Sequence, residues 1–224
     1  MEKTAVIILS GGLDSSTMAY YYKEQGYQLL CVSFNYGQKH LKELSSAAVI
    51  AEQLGASHKI IDLSFMREHL STSSLVNPEL TNPKQEYARE NMLVTVVPNR
   101  NSMMLSIAWS IACAANAEIV AYGPHRGDDY VYADCRPDYV SAINLALRLG
   151  TIDSRHEDLQ LEAPFLKLSK TEIVQLGATL KVPFAKTWSC YDGAEQHCGL
   201  CGTCRQRKQA FSDAMLADPT LYKE

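Results

Sequence analysis

Long apolar runs are missing from this 224-residue chain. No stretch approaches the ~20 consecutive apolar residues of a membrane span, and Ala5-Val6-Ile7-Ile8-Leu9, after Met1-Glu2-Lys3-Thr4, is too short for a signal-peptide core. No membrane partner is expected, and a cytoplasmic location is. A surplus of positive charge is missing too. Acidic residues number 25 against 21 basic ones, giving a net charge of −4 and a pI near 5.9. That balance argues against a broad basic face for direct nucleic-acid binding and favours a small-molecule substrate. There is no internal repeat and no low-complexity tract. The patterns G-x-x-x-x-G-K-[ST] and G-x-G-x-x-G are both absent, which weakens a motor-type phosphohydrolase and a dinucleotide enzyme alike.

What is present starts near the N-terminus. The apolar run empties into Ser10-Gly11-Gly12-Leu13-Asp14-Ser15-Ser16 and then into Thr17-Met18-Ala19-Tyr20-Tyr21-Tyr22, which reads as a helix. A strand that ends on two glycines and restarts as a helix sets bare backbone N–H groups at a helix N-terminus, where the dipole favours an anion. Gly11 and Gly12 have no Cβ, so the chain can take positive φ and approach a pyrophosphate closely, while Ser10, Ser15 and Ser16 offer hydroxyl donors. Leu9 to Ser16 is therefore the candidate phosphate seat. Its alternative is a Gly-rich β–α turn with no ligand.

Of the seven cysteines, Cys190, Cys198, Cys201 and Cys204 crowd into fifteen residues, too close for a usual disulfide framework in a chain of this length. Four thiolates so spaced suit tetrahedral Zn²⁺, with Gly193, Gly199 and Gly202 loosening the backbone; an iron–sulfur cluster is the rival. Thiolate-saturated zinc has no open position for water, so the metal is read as structural, folding a short C-terminal knuckle that Trp188 and Tyr191 pack. His197 is expected at the surface rather than as a substitute ligand. Cys31 and Cys113 lie in apolar runs and read as small core residues. Arg205, Arg207 and Lys208 read as a solvated helix face rather than an RNA site.

Strand-like runs at 4–9, 28–34 and 58–62 alternate with helix-like stretches at 13–25 and 38–55, the pattern of a parallel sheet with helices on its faces. Gly26 and Gly55 fall where left-handed helix ends are expected. Residues 64–98 lose all periodicity, as a lid, a binding loop or a surface insertion does. A helix over 102–115 and a strand over 118–122 follow, then the polar loop Gly123 to Asp129. Ligands of open α/β sheets sit at the carboxyl ends of strands, so this loop is expected to face the nucleotide site. A helix over 137–149 precedes another that Ser169 and Glu172 open as a capping box. The expected fold class is α/β: an open parallel sheet with helices on both faces over 1–186, carrying a small zinc-binding segment over 187–224.

The S-G-G-x-D-S loop after a strand resembles the PP-loop ATP pyrophosphatases. Together with Val97-Pro98-Asn99-Arg100-Asn101, Asp134-Cys135-Arg136-Pro137, Ala163-Pro164-Phe165 to Glu172 and the Cys190/Cys198/Cys201/Cys204 set, it resembles the 7-cyano-7-deazaguanine synthase family of queuosine biosynthesis, from residue 5 to about 222. The resemblance implies conversion of 7-carboxy-7-deazaguanine to the nitrile with ammonia, ATP and Mg²⁺, a bound Zn²⁺, and a homodimer. One departure stands out. The family usually has Tyr-Pro before Asp-Cys-Arg, and here the run is Tyr132-Ala133, which puts substrate choice in doubt.

Adenylation explains why one phosphate loop suffices. A carboxylate oxygen leaves poorly, so transfer of AMP to it makes an anhydride that ammonia attacks, and a second transfer to the amide oxygen lets AMP depart to leave the nitrile. The loop N–H groups, with Ser10 and Ser15, hold the departing pyrophosphate as its charge develops. Asp14 orients the loop or positions the metal, or else caps the helix. Lys170 is a second phosphate contact or a solvated lysine. Arg100 and Asn101 bind phosphate or the base, or form a surface turn. Asp134 and Arg136 recognise the guanine-like edge and the carboxylate, or pair with each other. Cys135 is read as lining, with a covalent role the alternative. Rival functions are a related adenylating enzyme that stops at the amide or thiolates tRNA, and a non-catalytic nucleotide sensor.

Overall fold

In a computed structural model that describes residues 3–151 and 156–223, Thr4–Ile8 forms β1, the middle strand of a five-stranded sheet. A strand covered on both faces reads as a continuous apolar run rather than an alternation, and Ala5, Val6 and Ile7 are all fully buried. Gln28–Asn35 (β2) and Ser57–Asp62 (β3) extend the sheet on one side, Ile119–Ala121 (β4) and Gln160–Glu162 (β5) on the other. Every pair is parallel, in the order β3-β2-β1-β4-β5, with Val6 opposite Leu30 on one side and Val120 on the other.

The pleat sorts the core into two layers. Ala5 and Ile7 of β1, Cys31 of β2 and Ala121 of β4 face Leu13–Glu24 (α1) and Lys42–Gln53 (α2). Two later helices on that face, Lys170–Thr179 (α6) and Gly202–Asp213 (α7), follow Arg89–Met92 (α3), Arg100–Ala114 (α4) and Pro137–Leu149 (α5) in the chain. Val6, Val32 and Val120 face the opposite way, onto Leu105 and Trp109 of α4, with Ile143 of α5 packed at the edge. Each fully buried aliphatic side chain contributes roughly 1.5–3 kcal/mol.

Several boundaries differ from the sequence reading. Helix α2 starts at Lys42, after a turn over 38–41, and α4 starts at Arg100, fed by Asn99 at φ +55°. β5 has one apolar residue in three, too little pattern to read; its register with β4 defines it. Residues 64–98 are not structureless. Short helical turns cover Ser64–Leu70, α3 and Leu93–Thr95, and Leu75, Val76 and Met92 are buried. Gly26 and Gly55 do take positive φ, and Ser169 and Glu172 form the expected capping box. No helix among the described residues is long and apolar enough to cross a membrane.

Candidate active site

The carboxyl ends of β1, β2 and β4 open onto one cavity. Leu9, Ser10, Gly12, Leu13, Asp14 and Ser15 form one wall. Arg100, Asn101, Asp134, Cys135 and Lys170 form others, so residues as far apart in the chain as Leu9 and Lys170 meet around a single space. The loop after β4 also reaches it, through Gly123, Pro124, His125 and Asp128. Gly11, Ser16 and Arg136 are not among its walls.

The glycines divide the work. Of Gly11 and Gly12 only Gly11 has positive φ, and a Cβ there would lie 2.2 Å from the Glu43 carbonyl oxygen and 2.6 Å from the Ala47 nitrogen, so its lack of a side chain lets α2 pack on the loop. Gly12 keeps an ordinary φ of −76° as the N-cap of α1. Ser15 Oγ accepts from the Ser10 N–H at 3.2 Å and lies 3.0 Å from Ser10 Oγ, holding the turn closed. Ser16 is fully buried, and its Oγ has no partner.

Asp14 makes no N-cap bond; its Oδ2 pairs with the ammonium of Lys170 at the start of α6. Burial pushes the Asp14 carboxyl up, but the Lys170 ammonium, by its charge and its hydrogen bond, outweighs burial and holds the group below its ordinary value. Oδ1 is buried without a partner. Arg100 donates to the Tyr36 hydroxyl at 3.2 Å and lies 5.6 Å from that ring. Burial opposes its charge, yet Tyr36 and Asp134 keep the guanidinium protonated. Asp134 Oδ2 accepts from the Asn101 N–H at 3.3 Å, whereas exposed Arg136 donates to the Asp129 carbonyl at 3.0 Å, so Asp134 and Arg136 form no pair. Burial and then Asp128 and Asp134 push the Cys135 thiol well up, leaving it protonated and unsuited to nucleophilic attack at neutral pH.

Among the lining residues that escape the sequence reading are His40 and Glu43, in the turn and first helical turn of what reads as one long helix. The spacing H-x-x-E at a helix start is the available signal, since residues three apart share a face. His40 Nε2 lies 3.3 Å from Glu43 Oε2.

The four cysteine sulfurs lie within 4.8 Å of one another. Sulfurs of a tetrahedral Zn–S₄ centre stand roughly 3.8 Å apart, given Zn–S near 2.3 Å, so the donor set fits such an ion. Backbone N–H groups of Cys198 and Cys201 donate to Cys190 Sγ and Cys198 Sγ at 3.3 Å. Trp188 packs against this cluster with Tyr191 at its margin. Two expectations fail here. His197 is not at the surface: it is 5% exposed, its ring lies tilted against Trp188 with centroids 4.2 Å apart, and its Nε2 accepts from the Ser189 N–H at 3.0 Å. Burial and the Arg207 charge hold it neutral, with a pKa pushed down to about 4. Nor is Arg207 solvated. It is fully buried, donating to the Phe184 carbonyl, Thr187 Oγ1, Ser189 Oγ and Asp218.

A parallel sheet covered by helices on both faces, with a Ser-Gly-Gly turn at the carboxyl end of its central strand, defines a doubly wound α/β protein. The NMN synthetase of Francisella tularensis shares the fold, with a TM-score of 0.53 at 14% identity over 100% of this chain and 89% of that one. A family model described as queuosine biosynthesis protein QueC matches residues 4–215. The 7-cyano-7-deazaguanine synthase of Brucella anthropi is 44% identical over 219 residues, covering 98% of this chain and 93% of its own. Those of Caldicellulosiruptor saccharolyticus and Methanoregula boonei are 43% and 44% identical, with 98% of this chain covered and 95% and 99% of theirs. The chain belongs to the QueC family of queuosine biosynthesis proteins.

Proposed function

We propose that this chain is an ATP-dependent carbon–nitrogen ligase that makes 7-cyano-7-deazaguanine from 7-carboxy-7-deazaguanine and ammonia. The observation that carries the reading is the meeting of the Ser10–Ser15 turn, the Asp14–Lys170 pair and the Arg100/Asn101/Asp134 group around one cavity, in a chain nearly half identical to named synthases along its length. Ser10, Ser15 and the N-terminus of α1 receive the outgoing pyrophosphate, and Lys170 adds a cation where negative charge grows. Arg100, charged and buried, pairs with the substrate carboxylate, while Asn101 and Asp134 offer a donor and an acceptor to the guanine-like edge. Arg136 serves this role only if its exposed side chain turns inward. The unpartnered Asp14 Oδ1 is a hard oxygen donor of the kind Mg²⁺ takes with ATP phosphates. Cys190, Cys198, Cys201 and Cys204 hold zinc as a structural ion that folds residues 187–224 onto the sheet domain. Two chains associate through α5.

Mass spectrometry of the products from purified protein, 7-carboxy-7-deazaguanine, ammonium and MgATP tests this. Nitrile with AMP and pyrophosphate is expected. Amide alone makes it the truncated enzyme, and ATP binding without turnover makes it a sensor. Metal analysis of the same sample is expected to give one zinc per chain; iron would replace the zinc reading by a cluster.

A further inference from the structure

A nitrile nitrogen keeps none of the three hydrogens that ammonia brings, so the proposed reaction, on which this inference rests, sheds three N–H protons at one place. Ammonia attacking the acyl adenylate forms the C–N bond, expels AMP with the C–O electron pair and releases the first. Transfer of the second adenylyl group to the amide oxygen, with pyrophosphate leaving phosphorus, releases another as the nitrogen becomes an imidate. Loss of AMP then closes C≡N and releases the last. The base has to belong to a residue of the cavity wall and carry a lone pair that no other group holds. Asp14 is a poor one, because Lys170 stabilises its charged form.

Two histidines line the cavity. His125 has both ring nitrogens engaged: Nδ1 accepts from the Gly127 N–H at 2.9 Å, and Nε2 stands 3.4 Å from Asp128 Oδ1. His40 differs. Glu43 Oε2 sits against its Nε2, and the other carboxylate oxygen, Oε1, accepts from Gln38 Nε2 at 2.9 Å. Gln38 is fixed in turn, accepting from the Tyr36 N–H at 2.8 Å and donating to the Phe34 carbonyl at 3.0 Å. A carboxylate beside Nε2 favours the proton there and leaves Nδ1 as a bare lone pair. That Nδ1 is buried and has no partner, in a residue 4% exposed. Glu43 beside it and Tyr191, 5.6 Å away on the C-terminal segment, are the titratable groups against the ring, while Arg100, Lys170, Asp14 and His125 share the cavity. The Glu43 backbone carbonyl abuts Gly11, which sets the pair beside the phosphate turn.

We propose that His40 Nδ1 is the general base that takes the N–H protons, with Glu43 the positioning residue that fixes its tautomer. The imidazolium faces Glu43 and returns its proton to solvent before the next step.

ATP–pyrophosphate exchange with 7-carboxy-7-deazaguanine and no ammonia reports adenylation, which removes no N–H proton. In His40→Gln, exchange is expected within about threefold of wild type while nitrile formation falls about 10²-fold. In His40→Gly, added imidazole is expected to recover part of the lost rate. Nitrile formation by His40→Gln at the wild-type rate overturns the proposal, as does an equal loss of exchange and nitrile, which makes His40 a wall of the cavity. A wild-type protein that yields only amide overturns the assigned product instead, and the base is then read from amide formation, which releases the same first proton.

Discussion

Lys170 and Asp14 stand 156 residues apart in the chain and share one ion pair beside the Ser10–Ser15 turn. Lys170→Met removes the cation from the cavity wall and leaves buried Asp14 without its partner, and adenylation is expected to fall about 10²-fold, measured by pyrophosphate exchange. The same pair has a pH signature. Because Asp14 titrates lower in the folded chain, its stabilising contribution is present above the ordinary value of 3.8 and disappears as pH falls through the lower folded value. Urea unfolding at pH 7 and pH 3 is therefore expected to show a gap between wild type and Lys170→Met that narrows in acid. Equal gaps would mean the pair carries no linkage. Little of this was visible in the sequence. A lysine after a capping serine points toward a helix N-terminus, but which carboxylate it meets is decided by the contact between α1 and α6.

At the scale of elements, α7 shows how composition misleads. Arg205, Arg207 and Lys208 look like a wet face, yet Cys204, Arg207, Ala210 and Phe211 fall at helical spacing and all are buried. The stripe was legible once Cys204 is taken as an inward marker. Arg207 satisfies the Phe184 carbonyl and two hydroxyls and pairs with Asp218, so Arg207→Met strands several buried polar groups. A destabilisation of about 3 kcal/mol is expected in thermal or urea unfolding, and a loss under about 1 kcal/mol would show those groups rehydrate. By contrast β1, its turn and α1 were readable to within a residue, because glycines, serines and an uninterrupted apolar run all point to one geometry. The short β5 and the turns of 64–98 carry no such agreement; they take their shape from what they pack against.

Across the whole molecule, the doubly wound topology followed from alternation of strand and helix patterns, and it alone brings the widely separated site residues to one end of the sheet. What no local pattern carries is the exposed side of α5. No residue of that helix is fully buried, and Leu145 and Leu149, one turn apart, are each 59% exposed. If α5 joins two chains, light scattering gives twice the chain mass for wild type, and Leu145→Asp with Leu149→Asp gives the single-chain mass. A wild-type monomer would dismiss the dimer and leave the cavity unaffected.

The Trp188 N–H donates to the Gly11 carbonyl at 2.8 Å, and Trp188 lies two residues before the first sulfur of the cluster. If the four thiolates hold the proposed zinc, a single backbone bond couples that ion to the peptide proposed to receive the pyrophosphate. Removal of the proposed zinc by a chelator is then expected to weaken ATP affinity as residues 187–224 loosen from the sheet domain, so that the turn feels a metal it never touches.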